Sequence, residues 1–98
     1  MVKHIILWTL KPEYNTPEIK QGMKTGLEAL VGVVPGLIEM RVETSPLASS
    51  NADVMLCSVL ESEAALKGYA VHPAHVEVAD TLVRPFTATR ACMDYVEE

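Results

Sequence analysis

The sequence has few of the features that would identify a polyanionic partner or a membrane. Its formal net charge is −5 at pH 7, and its eight Lys and Arg residues form no basic cluster. Binding to nucleic acid or to an anionic membrane is therefore not expected. Nothing approaches the apolar length of a transmembrane helix, and no small-residue cleavage site follows the apolar start MVKHIILWTLKPE. We interpret this start as a β-strand and predict a cytoplasmic protein.

Cysteine and the common catalytic motifs are also scarce. The two cysteines, Cys57 and Cys92, are far apart and show no C-x-x-C spacing, which gives no zinc or thioredoxin-like signal. Each lies in an apolar stretch, so we interpret both as buried structural thiols. The sequence has no Gly-rich phosphate loop, no G-x-S-x-G elbow and no dinucleotide fingerprint. Phosphoryl transfer, serine hydrolysis and NAD chemistry are therefore not expected.

The chain does have enough apolar residues for one core. It is 98 residues long, 49% hydrophobic and 21% charged, which predicts a single globular domain over residues 1–98. Strands are predicted at residues 2–10, 37–44, 54–61 and 86–96 from their apolar and β-branched residues. A helix is predicted at residues 17–34 with Thr16 as its N-cap. A second helix, capped by Ser62, is interrupted at His72-Pro73 and resumes at residues 74–82.

This order predicts an α+β fold of the ferredoxin-like, split βαβ type. Its four-stranded antiparallel sheet would carry both helical segments on one face, with the first and third strands in the centre. Cys57 and Cys92 would then lie two strand spacings apart, about 9–10 Å, which is too far for a disulfide.

The first strand is apolar on both faces, which leaves one face without a cover. Since the helices can cover only one face of the sheet, we expect Ile6, Trp8 and Leu10 to face away from them. An uncovered apolar face of that size predicts a second layer. The simplest second layer is another copy of the chain, so we predict a homodimer closed by a two-fold axis.

Tyrosine and histidine are concentrated in the segment GYAVHPAH, residues 68–75. Together with VKHIILWTLKPE at the start and MDY near the end, it resembles the stress-responsive A/B barrel (Dabb) family over essentially the whole chain. The resemblance implies a dimeric α+β barrel. This family is similar to a plant polyketide (olivetolic acid) cyclase, which performs an aldol condensation without a cofactor.

The resemblance also implies site residues. His4, Tyr69 and His75 match pocket residues of that cyclase, and Asp94 matches the aspartate that orients the residue equivalent to His75. His75 would then be a general base, with Tyr69 and His4 stabilising an oxyanion or relaying a proton. We further expect Ile6, Trp8 and His72 to contribute to binding.

Structural roles are the alternative for each of these residues. His4 could be a core histidine, Tyr69 could fill a gap beside the sheet, and His72 could cap the short helix. Metal binding by the histidines is disfavoured because Pro73 interrupts the helical register. We therefore predict no metal and no cofactor.

Three functions remain open. The first is acid/base chemistry of the aldol or cyclase kind on a small apolar carbonyl metabolite. The second is a non-catalytic, stress-associated or ligand-binding barrel. The third is a cofactor-independent monooxygenase-like barrel, which rests on fold analogy.

Overall fold

The chain folds into a four-stranded sheet with helices on one side, in a computed structural model that describes residues 1–97. Its elements are β1 (Val2–Leu10), α1 (Pro17–Glu28), β2 (Leu37–Glu43), β3 (Val54–Leu60), α2 (Glu63–Val71), α3 (Pro73–Val78) and β4 (Thr87–Val96). A π-helical turn, Ala79–Val83, follows α3, and 3-10 turns lie at Pro12–Tyr14 and Arg84–Phe86. The predicted strand–helix–strand–strand–helix–strand order is confirmed.

Side-chain caps start all three helices where the sequence predicts a start. The hydroxyl of Thr16 accepts a hydrogen bond from the backbone N–H of Ile19 at 3.3 Å, and that of Ser62 accepts one from Ala65 at 3.1 Å. At the break between α2 and α3, Nδ1 of His72 accepts a hydrogen bond from the N–H of Ala74 at 3.1 Å. These contacts satisfy N–H groups that have no partner within the helix.

The sheet is antiparallel, with strand order β2-β3-β1-β4. This order confirms the α+β, ferredoxin-like topology, with β1 and β3 in the centre. Cys57 lies opposite Ile5 and Cys92 opposite Ile6, so the two thiols occupy opposite faces of the sheet and both are free. Cys92 is exposed because β4 is an edge strand, so the prediction of a buried structural thiol is wrong there.

The helices cover the face of β1 that carries Ile6, Trp8 and Leu10. These side chains pack in one cluster with Met23 and Leu27 of α1, and Trp8 is only 4% exposed. The prediction that Ile6, Trp8 and Leu10 face away from the helices is therefore wrong. Both faces of β1 are apolar, so the alternation alone does not tell which one the helices cover.

The opposite side of the sheet, here called the open face, carries Ile5, Leu7, Met55, Val59 and Met93. Leu7 is 40% exposed and Met93 is 66% exposed. No element within residues 1–97 covers this face. The open face is therefore an apolar surface that still needs a second layer. The residues on this face differ from Ile6, Trp8 and Leu10, which the sequence analysis had placed there.

Two local details concern the start of β2 and the end of α1, and the second differs from the predicted helix over residues 17–34. The register between β2 and β3 shifts after Leu37, which buries Leu37 and leaves Ile38 exposed. α1 ends at Glu28, and residues 29–34 form turns that still bury Leu30 and Val34. Gly36 ends this segment with φ of +80°, a conformation that side chains other than glycine rarely adopt.

Within the described residues, no helix has the length and apolar character needed to cross a bilayer. The cytoplasmic location stays a prediction.

Candidate active site

A cavity of about 560 Å³ lies between the helices and the sheet, beside the edge strand β4. It exists because the helices do not fully cover β4, whose residues are almost all exposed. Its walls are mostly apolar and include Ile6, Trp8, Leu56 and Val83. Polar groups enter from β1, β4, the α2–α3 segment and the 3-10 turn that begins at Arg84: His4, Lys67, Tyr69, His75, Arg84, Thr87, Arg90, Cys92 and Asp94.

Tyr69 and His75 form the centre of the polar wall. Their ring centroids are 4.1 Å apart with an interplanar angle of 33°, and Tyr69 is only 2% exposed. Tyr69 belongs to the last turn of α2 and His75 to α3. The break at His72-Pro73 lets side chains from both helices line one cavity.

His4 completes the group from the sheet. Its ring centroid lies 6.0 Å from that of Tyr69, in an edge-to-face arrangement. The structure therefore brings together the three pocket residues that the family resemblance implied. The cavity lies within one subunit, between helices and sheet and open beside β4, rather than between two sheets.

Asp94 contacts a different histidine from the one expected. Its carboxylate accepts a hydrogen bond from Nδ1–H of His4, because the register of β1 and β4 places these two residues directly opposite each other. The expectation that Asp94 orients His75 is therefore wrong. Nδ1–H of His75 instead donates to the carbonyl oxygen of Ala70 at 3.3 Å.

These hydrogen bonds set the tautomers of both histidines. Each ring uses Nδ1 as a donor, so in the neutral ring Nε2 is the basic atom. Burial lowers the pKa of His75 below its ordinary value of 6.5, and the positive charges of Arg84 and Arg90 lower it further; the hydrogen bond to Ala70 acts in the opposite direction. His75 is therefore a neutral base at pH 7.

Tyr69 and Cys92 keep their protons. Burial raises the pKa of Tyr69 well above its ordinary value, so its hydroxyl is a donor at neutral pH. Burial and the carboxylate of Asp94 also raise the pKa of Cys92. Since the thiolate is the reactive form, Cys92 is a poor candidate for a nucleophile.

His72 has a structural contact instead of the predicted binding role. Its ring caps α3 through Nδ1, and it is not among the residues that line the cavity. The alternative of a helix cap is confirmed. Ile6 and Trp8, by contrast, do line the cavity, from the side that faces the helices.

The sequence analysis missed Arg90 and Cys92. Both lie on β4 at even spacing from Asp94, and the same alternation that places Asp94 at the cavity places them there too. Among residues 1–97, one group of side chains could hold a metal ion: Nδ1 of His4, Sγ of Cys92 and a carboxylate oxygen of Asp94 lie within 4.8 Å of one another. In this structure the carboxylate of Asp94 accepts hydrogen bonds from Nδ1–H of His4 and from the thiol of Cys92, the latter at 3.5 Å.

The sequence matches the family model of the Stress Responsive A/B Barrel Domain (Dabb) over residues 2–97. The chain belongs to the Dabb family. No curated protein matches this Dabb domain at a significant level.

Several solved structures share the fold of this Dabb domain. A dimeric, ferredoxin-like protein of unknown function from Bacteroides fragilis is 26% identical, with a TM-score of 0.86 over 96% of this chain and 93% of its own. The Arabidopsis thaliana protein At3g17210 is 25% identical, with a TM-score of 0.85 over 100% and 96% of the two chains. A hydroxynitrile lyase from Passiflora edulis is 16% identical, with a TM-score of 0.83 over 99% and 93%.

Proposed function

We propose that this Dabb domain binds a small, largely apolar carbonyl compound and catalyses acid/base chemistry of the aldol or cyclase kind without a cofactor. The observation that carries the proposal is the pairing of a neutral His75 with a protonated Tyr69 in the wall of an apolar cavity. Two neighbouring groups of this kind supply a base and a hydrogen-bond donor to one reacting carbonyl.

The reaction begins at a carbon next to a carbonyl group. Nε2 of His75 takes a proton from that carbon, the C–H bond breaks, and its electron pair moves to the carbonyl oxygen. The hydroxyl of Tyr69 donates a hydrogen bond to this enolate oxygen. The apolar surroundings strengthen that hydrogen bond, because they keep competing water away.

The second step forms a carbon–carbon bond within the same molecule. The enolate carbon attacks a second carbonyl, whose oxygen becomes an alkoxide and takes the proton back from His75. The sequence of steps is redox-neutral and needs no co-reactant. The carboxylate of Asp94 holds the ring of His4 and leaves its Nε2 to exchange a proton with either oxygen.

We also infer that the open face packs against a second copy of the chain. The open face is apolar and uncovered, and the similar Bacteroides fragilis protein is dimeric. The cavity lies on the other side of the sheet, so the partner would support the site without lining it.

The test compares turnover of small polyketides and β-keto acids by wild type, His75→Gln and Tyr69→Phe. Loss of the base is expected to lower kcat/KM by about 10²–10⁴-fold, and loss of the Tyr69 donor by about 10²–10³-fold. Tyr14→Phe is the matched control, because Tyr14 packs on Phe86 outside the cavity.

Equal turnover by wild type and His75→Gln would overturn the proposal. Ligand binding without turnover by wild type would also overturn it, in favour of the non-catalytic, ligand-binding alternative. Oxygenase chemistry stays a prediction that these observations leave untested.

A further inference from the structure

Positive charge is concentrated around the cavity of an otherwise acidic chain. The chain has a formal charge of −5, yet Lys67, Arg84 and Arg90 line the cavity, with Asp94 as the one acidic lining residue of the described chain. The carboxylate of Asp94 already accepts a hydrogen bond from His4. The lining of the cavity therefore carries more positive than negative charge, which favours an anionic ligand over a cationic one.

The three cations are not equivalent. Arg84 forms an ion pair with Asp80, which lies one turn earlier in the chain. Lys67 lies near Asp94, since both also line a smaller neighbouring cavity. Arg90 forms no ion pair within residues 1–97, and its guanidinium lies beside the thiol of Cys92, a weak hydrogen-bonding partner, so most of its five N–H donors stay available to a ligand.

Arg90 lies on the cavity side of β4. It pairs with Trp8 across the two strands, and it shares a face with Cys92 and Asp94. It lines the same cavity as Tyr69 and His75, the two reacting groups.

The spacing along β4 gives the cavity two different ends. Arg90 and Asp94 are four residues apart on an extended strand, which is about 13 Å between their backbones. A ligand whose anionic group binds Arg90 would therefore extend along the cavity past Tyr69 and His75 toward the His4–Asp94 pair.

We propose that Arg90 binds the carboxylate of the substrate, so that the substrate class is an apolar carbonyl compound that carries a carboxylate at one end. The planar guanidinium matches a carboxylate with two parallel hydrogen bonds, which a lysine does not provide. The identity of the reacting carbonyl rests on the proposed function, but recognition of the carboxylate does not.

The experiment measures binding of octanoate and octanamide by isothermal titration calorimetry. The two probes have the same apolar chain and differ in the charge of the head group, and neither carries a ketone that could react. Wild type is expected to bind octanoate about tenfold more tightly than octanamide, since charge-assisted hydrogen bonds are about twice as strong as neutral ones.

Variants separate charge recognition from packing. Arg90→Gln is expected to weaken octanoate binding about tenfold and to leave octanamide binding within about twofold. Lys20→Gln removes one positive charge from α1 outside the cavity and should change neither affinity.

Equal affinity of wild type for the two probes would overturn the proposal, as would an equal loss of both in Arg90→Gln. Failure of the proposed function looks different. If no ketone substrate is turned over while octanoate binding still depends on Arg90, the inference stands and the catalytic proposal falls.

Discussion

Acidification should switch off the proposed reaction by protonating His75. The proposed base works only when Nε2 is unprotonated, and burial holds the pKa of His75 below 6.5. An ordinary histidine is about 90% neutral at pH 7.5, and His75 with its lower pKa is neutral to a greater extent. Below that pKa, kcat/KM should fall about tenfold for each pH unit.

On the alkaline side of the pH profile, kcat/KM should show no matching decrease close to neutral pH. The pKa of Tyr69 is raised by burial, so its hydroxyl stays protonated well above pH 9. We therefore expect a plateau from about pH 7.5 to 9 instead of a bell-shaped profile with its maximum near 7.

The stability of the protein should follow the same titration. The folded-state pKa of His75 lies below its unfolded value, so between the two values the unfolded chain binds more protons. The free energy of unfolding should therefore be highest above pH 6.5 and should fall as the pH drops through the folded-state pKa. His75→Gln should remove this part of the pH dependence.

A nuclear magnetic resonance titration of the ring protons of the three histidines checks the argument without any substrate. His75→Gln and His72→Asn assign two of the three resonances by their disappearance. A His75 resonance that titrates above pH 6.5 would refute the reasoning, because partial burial and the positive charges of Arg84 and Arg90 disfavour the imidazolium.

Two further predictions concern the break between the helices and the open face. His72→Ala should lower the free energy of unfolding by about 0.5–2 kcal/mol, measured by urea denaturation, because it removes the cap of α3. His72→Asn retains a capping acceptor and should lower this free energy by less. Equal losses in the two variants would argue against the cap. Leu7→Lys, on the open face, should shift the chain from dimer to monomer in sedimentation velocity, and an unchanged sedimentation coefficient would place the interface elsewhere.

The order of the elements was predictable because its signals are local. Thr16, Ser62 and the His72-Pro73 break start or stop helices through contacts that span at most three residues. The split βαβ order predicted the central places of β1 and β3, and their apolar character on both faces agrees with those places.

The site was predictable only in part. The resemblance named His4, Tyr69 and His75, and these residues do meet at one cavity. It paired Asp94 with the wrong histidine, because that contact depends on the register of β1 with β4, residues that are 90 positions apart. Arg90 went unnoticed, although counting alternate residues back from Asp94 reaches it.

The sequence by itself determined the secondary structure, the split βαβ order and the residues with titratable chemistry, since these follow from propensity and spacing. Only the tertiary structure decided that the helices cover Trp8 instead of Leu7, and that Asp94 contacts His4 instead of His75. The physical reason is the same in both cases. A strand that is apolar on both faces has no local preference for either, so packing against α1 and pairing with β4 made the choice.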